Sequence, residues 1–315
     1  MELIRRFNKQ GIRDCVAAIG GFDGLHLGHQ ALLERARSHA QRRGLAAMML
    51  SFEPLPREFL QPQDPPARLT NLRERWRLLS GSGLDRVWLL PFDARARALS
   101  GAQFLALLQA AAVRTVVIGH DFRFGRGGEA NAQWCTERAA QFGIEVDIVE
   151  PVLVAGERVS SGLVRAALAA GDLARAQRLL GRHYSMRGRV RGGERLGREL
   201  GFPTANIAVR RRRVPLTGIF AVRVSRGAVA ERDAAGAPLI PGVASLGLRP
   251  MVGGTGPLLE AHLFDFDADL YGSELEVQFI AKLRDERSFV SMAAMVAQMH
   301  RDASEARRIL GVAES

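Results

Sequence analysis

Residues Gly20-Gly21-Phe22-Asp23-Gly24-Leu25-His26-Leu27-Gly28-His29 set two histidines three positions apart behind a glycine-rich turn, which follows the apolar run Val16 to Ile19. The run reads as a short buried strand, and Gln30 to Arg43 has helical spacing with Leu32, Leu33 and Ala36 on one face. A strand-to-helix junction of this kind suits a phosphate. Gly20, Gly21 and Gly24 lack a Cβ, so the backbone around Phe22 and Asp23 can turn tightly and bring its NH groups close to a ligand. Unpaired NH groups and the dipole at a helix N-terminus both favour an anion. His26 and His29, about one helical turn apart, can point into the same space and donate to oxygens that gain charge as an α-phosphoryl group is displaced. Nucleotidyl transfer is the chemistry this predicts. The plainer alternative is a buried histidine beside a helix cap, and zinc is disfavoured because no Cys, Glu or third His stands at ligand spacing.

Other stretches carry compatible chemistry. The expected strand Val113 to Ile118 runs into Gly119-His120-Asp121-Phe122-Arg123-Phe124-Gly125-Arg126-Gly127-Gly128, where aromatics and arginines among glycines suit a flat ring next to an anionic group. Ser160-Ser161-Gly162-Leu163-Val164-Arg165 opens a helix with a serine cap. In Gly192-Gly193-Glu194-Arg195-Leu196-Gly197-Arg198-Glu199-Leu200-Gly201-Phe202-Pro203-Thr204-Ala205-Asn206, repeated glycines predict a flap whose NH groups can wrap phosphates. Thr204 and Asn206, two apart in an extended segment, share a face and offer hard oxygen ligands for Mg²⁺ bridging a nucleotide.

Strands and helices alternate through the first half. Leu45 to Phe52 is a strand ending in Ser51-Phe52-Glu53-Pro54-Leu55-Pro56, and the prolines make that segment a loop at the strand's C-terminal end. Asn71 to Leu79 and Gly101 to Ala112 read as helices, Val87 to Leu90 and Ile144 to Val149 as strands, and Asp172 to Leu180 as a short helix. This alternation predicts a parallel sheet with ligands at the C-terminal edge of its strands. Past Gly181 to Ser185 the pattern changes to short strands with glycine-rich turns: Met186 to Val190, Ala205 to Val209, Ile219 to Val224, Val243 to Leu246, Leu258 to Phe266 and Leu275 to Ile280. Successive strands without crossover helices predict an antiparallel barrel. The helix Phe289 to Leu310 follows, with Met292, Met295, Val296 and Met299 on one stripe read as a plug or cover of the barrel.

Composition narrows the classes. A chain of 315 residues, 47% hydrophobic and 24% charged, has room for two cores and the make-up of a soluble globular protein. No apolar run approaches the roughly 20 residues of a bilayer span, and Met1 to Gln10 does not have the pattern of a signal peptide. Cys15 and Cys135 fit no metal or disulfide framework, which predicts a reducing cytoplasm. The net charge of +11 invites nucleic acid as a partner. Of the 44 basic residues only Lys9 and Lys282 are lysine, and there is no GK[ST] for a Walker loop, so phosphate must be held by backbone NH groups, His, Arg or a metal. The dense run Arg210 to Arg213 reads as a solvated loop beside an anionic ligand, so nucleic acid is not expected as the primary partner.

The motifs resemble those of a known family. GFDGLHLGH is similar to the HxGH signature of Rossmann-like nucleotidyltransferases and, as GxFDGxHxGH, to that of the bacterial bifunctional riboflavin kinase/FMN adenylyltransferases, or FAD synthetases. GHDFRFG resembles the family's GxDFxFG, which implies that Asp121 contacts the nucleotide and that Phe124 lies near the flavin ring; Phe52 is expected at the flavin too. SSGLVR resembles SSTxxR, implying that Ser161 and Arg165 bind the departing pyrophosphate, with Gly162 standing where the family has Thr. LGFPTAN resembles the riboflavin kinase signature, with Gly218 to Ala221 and Leu259 to Leu263 matching later strands. By that likeness Thr204 and Asn206 hold Mg²⁺, the flap of Gly192, Gly193 and Gly197 covers ATP, and Glu260 takes the riboflavin 5′-hydroxyl proton. Ser245 to Met251 resembles the GxRPT turn, with Met251 for Thr.

The resemblance covers essentially the whole chain. It implies an α/β protein with a Rossmann-like nucleotidyltransferase domain over 1–182, with a parallel sheet, and a riboflavin kinase domain over 183–315, an antiparallel β-barrel with a C-terminal helix. Riboflavin, FMN and ATP are the expected small-molecule substrates, FMN and FAD the products. The rival readings are an enzyme with one live domain, motivated by Gly162 and Met251, and an RNA-binding flavin sensor.

Overall fold

The computed structural model describes residues 1–5, 13–192, 200–227, 239–251 and 254–313. The chain forms two compact units, Met1–Pro66 with Arg75–Ser160, and Ala67–Glu74 with Ser161–Ser315.

The first unit is built on a six-stranded sheet. Its strands are β1 (Glu2–Ile4), β2 (Cys15–Ile19), β3 (Ala46–Glu53), β4 (Arg86–Pro91), β5 (Val113–Gly119) and, after the short hairpin of β6 (Arg123–Phe124) and β7 (Ala130–Asn131), β8 (Glu145–Val149). Their order is β1-β4-β3-β2-β5-β8, and every neighbouring pair is parallel. All five residues of β2 are buried, as expected for a central parallel strand covered on both faces. The helices are α1 (Leu27–Arg43), α2 (Pro56–Leu60), α3 (Leu72–Leu79), α4 (Ala94–Ala98), α5 (Gly101–Ala110) and α6 (Ala132–Arg138), and the ribbon of β9 (Leu153–Val154) and β10 (Glu157–Arg158) closes the unit. The chain runs outward through β2, β3 and β4, then returns to the other side of β2 as β5. That reversal is a topological switch point, the place where open α/β sheets bind ligands. Strand β1 was not among the expected strands, because its charged sequence occupies only a partly exposed edge beside β4.

Besides Ala67–Glu74, the second unit holds α7 (Ser161–Ala169) and α8 (Leu173–Leu180), the latter capped by Asp172. Strands β11 (Tyr184–Arg191), β12 (Ala205–Ile207), β13 (Gly218–Arg226), β14 (Ile240–Met251), β15 (Gly254–Leu263) and β16 (Glu274–Arg284) close an antiparallel barrel in the order β11-β12-β15-β14-β13-β16, with β16 returning to β11. Met186, Phe220, Val222, Leu246, Leu259 and Phe279 are buried in it. Among the described residues, no helix is long and apolar enough to cross a membrane.

Three expectations for this unit are corrected or narrowed. Of the two roles expected for the helix with the methionine stripe, plug or cover, it takes the second, and its barrel contact is made by residues outside the stripe. Aliphatic and aromatic side chains already fill the core, so helix α9 (Met292–Leu310) instead lays Ala306 and Leu310 on Ala221 and Phe264, and Met292 stays half exposed. Ser245 to Met251 is not a turn but the last stretch of β14, paired residue for residue with β15. Nor is Arg210 to Arg213 uniformly solvated. Arg211 is buried, donating to the carbonyls of Arg68 (3.2 Å) and Leu69 (2.8 Å) and pairing with Glu74.

Candidate active sites

The glycine turn lies where the sheet topology reverses. Ala18 of β2 is paired with Val117 of β5, so Gly20 and Asp121 leave neighbouring strands at the same edge. The helix begins at Leu27, earlier than periodicity predicted, because His26 serves as its N-cap: its Nδ1 accepts the His29 backbone NH at 3.3 Å. An accepting Nδ1 leaves the proton of a neutral imidazole on Nε2, which makes His26 Nε2 a donor. The rings of His26 and His29 stack with centroids 3.6 Å apart and an interplanar angle of 17°. Gly28 permits this, since a Cβ there would stand 3.2 Å from the His26 ring.

The tight turning falls on other residues than expected. Gly24 has φ 81°, but the non-glycine residues Phe22 (φ 50°) and Leu25 (φ 42°) are left-handed as well, while Gly20 and Gly21 are not. Left-handed backbone at such residues is strained and concentrates at functional turns. Phe22 is fully buried, its ring 5.0 Å from that of His29, and Asp23 is buried beneath the turn. Arg75, which sequence reasoning missed, lies at 0% exposure and donates to Ser51 Oγ (3.1 Å) and to the Gly21 carbonyl (3.4 Å), with Glu53 at 3.6 Å. Nothing in the charged pattern of Leu72–Leu79 marks one of its arginines as buried.

Asp121 follows β5 and pairs with Arg158. Burial raises its carboxyl, but the Arg158 hydrogen bond and charge outweigh that and hold it below the usual carboxylate range. Phe124 is 8% exposed and enclosed by Phe104, Phe122 and Trp134, so it backs the half-buried Phe122 instead of offering a free face. Phe52, half-buried near the end of β3, meets Phe92 edge to face at 5.7 Å. Ser161 and Arg165 belong to α7 of the second unit, where Arg165 Nε donates to the Ala67 carbonyl at 2.6 Å.

The second unit holds an open cavity of about 1430 Å³. Gly192, Thr204, Asn206, Ser245, Glu260, His262 and Glu286 are among the residues that line it. The strand pattern explains the convergence. On β12 the half-buried Asn206 alternates with the buried Ala205 and Ile207, and antiparallel register sets Asn206 opposite Glu260, and Glu260 opposite Ser245. Thr204, Asn206 and Glu260 therefore gather oxygen atoms in one cavity, the donor chemistry a small divalent cation takes. Gly193 and Gly197 lie outside the described residues.

Residues 8–163 match the model of the FAD synthetase family and residues 180–310 that of the riboflavin kinase family. The chain is 42% identical over 314 residues to the bifunctional riboflavin kinase/FMN adenylyltransferase of Pseudomonas fluorescens, covering 98% of each protein. It is 39% identical to the corresponding protein of Escherichia coli (strain K12), covering 99% of each. A crystal structure described as a macrolide-efflux protein from Streptococcus pneumoniae is similar with a TM-score of 0.81 at 30% identity, covering 97% of this chain and 98% of that one. With two such relatives along nearly its whole length, and with both domain models matched in order, the chain belongs to the bifunctional riboflavin kinase/FMN adenylyltransferase family.

Proposed function

We propose that the family's two reactions are divided along the chain, with residues 1–182 carrying adenylyl transfer and residues 183–315 riboflavin phosphorylation. The chain is a riboflavin kinase and an FMN adenylyltransferase: it phosphorylates riboflavin with ATP to give FMN, then adenylylates FMN with ATP to give FAD and pyrophosphate. The matched stretches 8–163 and 180–310 support the division.

In the adenylyl step a phosphate oxygen of FMN attacks the α-phosphorus of ATP. The bond to the α–β bridging oxygen breaks, and pyrophosphate leaves with its electron pair. FMN supplies the nucleophile, so the protein has to position and to stabilise charge. The backbone of Gly20, Gly21, Phe22, Asp23 and Gly24 receives the nucleotide, and His26 and His29 donate to the α-phosphoryl oxygens. Asp121 contacts the nucleotide, and Phe52 and Phe122, the latter backed by Phe124, bound the flavin ring. Ser161 and Arg165 are assigned to the pyrophosphate on the likeness of their motif alone.

In the kinase step the riboflavin 5′-oxygen attacks the γ-phosphorus, the bond to the β–γ bridging oxygen breaks, and ADP leaves with the electron pair. Glu260 takes the hydroxyl proton. Thr204 and Asn206 hold Mg²⁺, a reading supported by their oxygen donors and by the cavity they share with Glu260. When bound, the cation neutralises charge on the transferred phosphate. The glycines at 192, 193 and 197 are read as the ATP flap from their motif. The buried Arg211 leaves the basic run without a continuous exposed face, which supports small molecules over nucleic acid as partners. Cys15 and Cys135 are free buried thiols, a cysteine usage that supports a reducing, cytoplasmic setting.

The stacked His26–His29 pair at the switch point carries the adenylyl-transfer reading. Chromatography of products from riboflavin and ATP with Mg²⁺ tests it: wild type should yield FMN and then FAD, and His29→Ala should stop at FMN. Undiminished FAD from His29→Ala removes His29 from the mechanism.

A further inference from the structure

The kinase cavity contains a histidine with no assigned task. His262 follows Glu260 by two residues on β15, so both side chains project from the same face, and both line the cavity. Its Nδ1 lies 2.9 Å from the carbonyl oxygen of Pro203. A carbonyl only accepts, so Nδ1 carries the proton and the tautomer is fixed. Pro203 immediately precedes Thr204, and ladder pairing of β12 starts only at Ala205. Strand hydrogen bonds therefore do not hold the Pro203–Thr204 peptide, and proline has no NH with which to anchor itself. The His262 ring is seated edge-on against Phe202 (5.1 Å) and Phe264 (5.9 Å), and Phe202 is in turn packed against His300 (4.8 Å).

We propose that His262 is a positioning residue for the kinase reaction, fixing the Pro203 carbonyl so that the Thr204 hydroxyl is presented beside Asn206 for the metal–nucleotide complex. This rests on the reading of Thr204 and Asn206 as the Mg²⁺ ligands. Residues that orient metal ligands in this indirect way are worth on the order of 10–100-fold in metal affinity.

The full-length protein and its Thr204→Ala, His262→Ala, His262→Gln and His262→Asn variants are compared in two measurements: riboflavin phosphorylation against Mg²⁺ concentration, and Mg²⁺-dependent ADP binding by calorimetry. His262→Ala and His262→Gln should need about tenfold more Mg²⁺ for half-saturation, and for ADP binding, with kcat largely recovered at saturating metal. His262→Asn, whose amide nitrogen falls near the position of Nδ1, should restore both. FMN adenylylation should be unchanged in every variant and reports that the chain is folded. If Thr204→Ala leaves the Mg²⁺ dependence untouched, the metal-site reading fails and takes this inference with it. If Thr204→Ala shifts it but His262→Gln does not, or if His262→Asn is as impaired as His262→Gln, the role of His262 alone is overturned. The Asn and Gln variants keep a planar polar group in place of the ring, so they decide the matter even if His262→Ala does not fold.

Discussion

The imidazoles of His26 and His29 stack at 3.6 Å, and the same His26 ring caps the helix that carries His29. One side chain thus does a structural job through Nδ1 while leaving Nε2 to donate. The two jobs can be separated. Asn is among the best N-cap residues, whereas Ala forfeits about 1 kcal/mol. His26→Asn should therefore keep wild-type thermal stability yet lose FMN adenylylation by about 10²–10³-fold, as for removal of a transition-state donor. His26→Ala should lose both stability and adenylylation. Riboflavin phosphorylation in the same samples should be unaffected. Full FAD synthesis by His26→Asn would assign His26 to capping alone.

Arg75 stands beneath the glycine turn and ties its Gly21 carbonyl to Ser51. Replacing it with Met keeps much of the bulk and removes the donors. The expected outcome is a fall in FMN adenylylation on the order of a hundredfold, from a small displacement of the backbone proposed to receive the nucleotide. Lys should not rescue it, because a single ammonium cannot reproduce the guanidinium fork. Steady-state kinetics of both reactions check this, and equal loss of FMN formation would indicate a general folding defect.

How much of this could be read in advance differs from residue to residue. His26 and His29 were legible because glycines, strand and helix flank an unusual pair, yet the start of α1 was not, since imidazole lies outside the usual capping residues. Thr204 and Asn206 follow from the two-residue repeat of a strand, but their convergence with Glu260 and Ser245 depends on cross-strand register, which a linear pattern does not contain. Glu260 itself has the local appearance of a solvent-facing strand residue, and only the family likeness singled it out. Arg75 and Arg211 sit among other arginines, and tertiary packing alone decides which are buried. The methionines of α9 have a core-like spacing, but the barrel was already filled by its own strands.

Arg211 and Glu74 make a buried ion pair, and Glu74 also accepts from the backbone NH groups of Arg187 (2.9 Å) and Asn71 (2.7 Å). Burial pushes the Glu74 carboxyl above its ordinary value, with Arg211 and the two NH groups opposing. Arg211→Leu removes the main opposing charge and should cost about 3–5 kcal/mol at neutral pH, because a carboxylate is left buried without it. The sign with pH follows. A raised folded pKa means the stability linked to this group is complete below the ordinary carboxylate value of 4.5 and is lost as pH rises through the folded pKa. The variant's deficit should therefore shrink on acidification, toward the range where Glu74 is protonated. Urea unfolding of both proteins at pH 5 and pH 8 measures it, and a deficit independent of pH would mean that packing, not charge, is what Arg211 supplies.

Glu260 faces Asn206 on one side and Ser245 on the other, and its half-buried carboxylate lines the kinase cavity. Glu260→Gln preserves shape and an acceptor oxygen but removes the capacity to take a proton. General-base loss of this kind costs about 10²–10⁴-fold, and it should appear in kcat for FMN formation while riboflavin and ATP still bind. FMN supplied directly should still be converted to FAD at the wild-type rate, since that chemistry is assigned to His26, His29 and Asp121 instead. Flavin binding followed by fluorescence, together with chromatographic rates for each reaction, separates the cases. If riboflavin phosphorylation survives Glu260→Gln, the proton passes to another acceptor; Asp302, which also lines the cavity, is held by Arg284, so Glu286 becomes the group to substitute next.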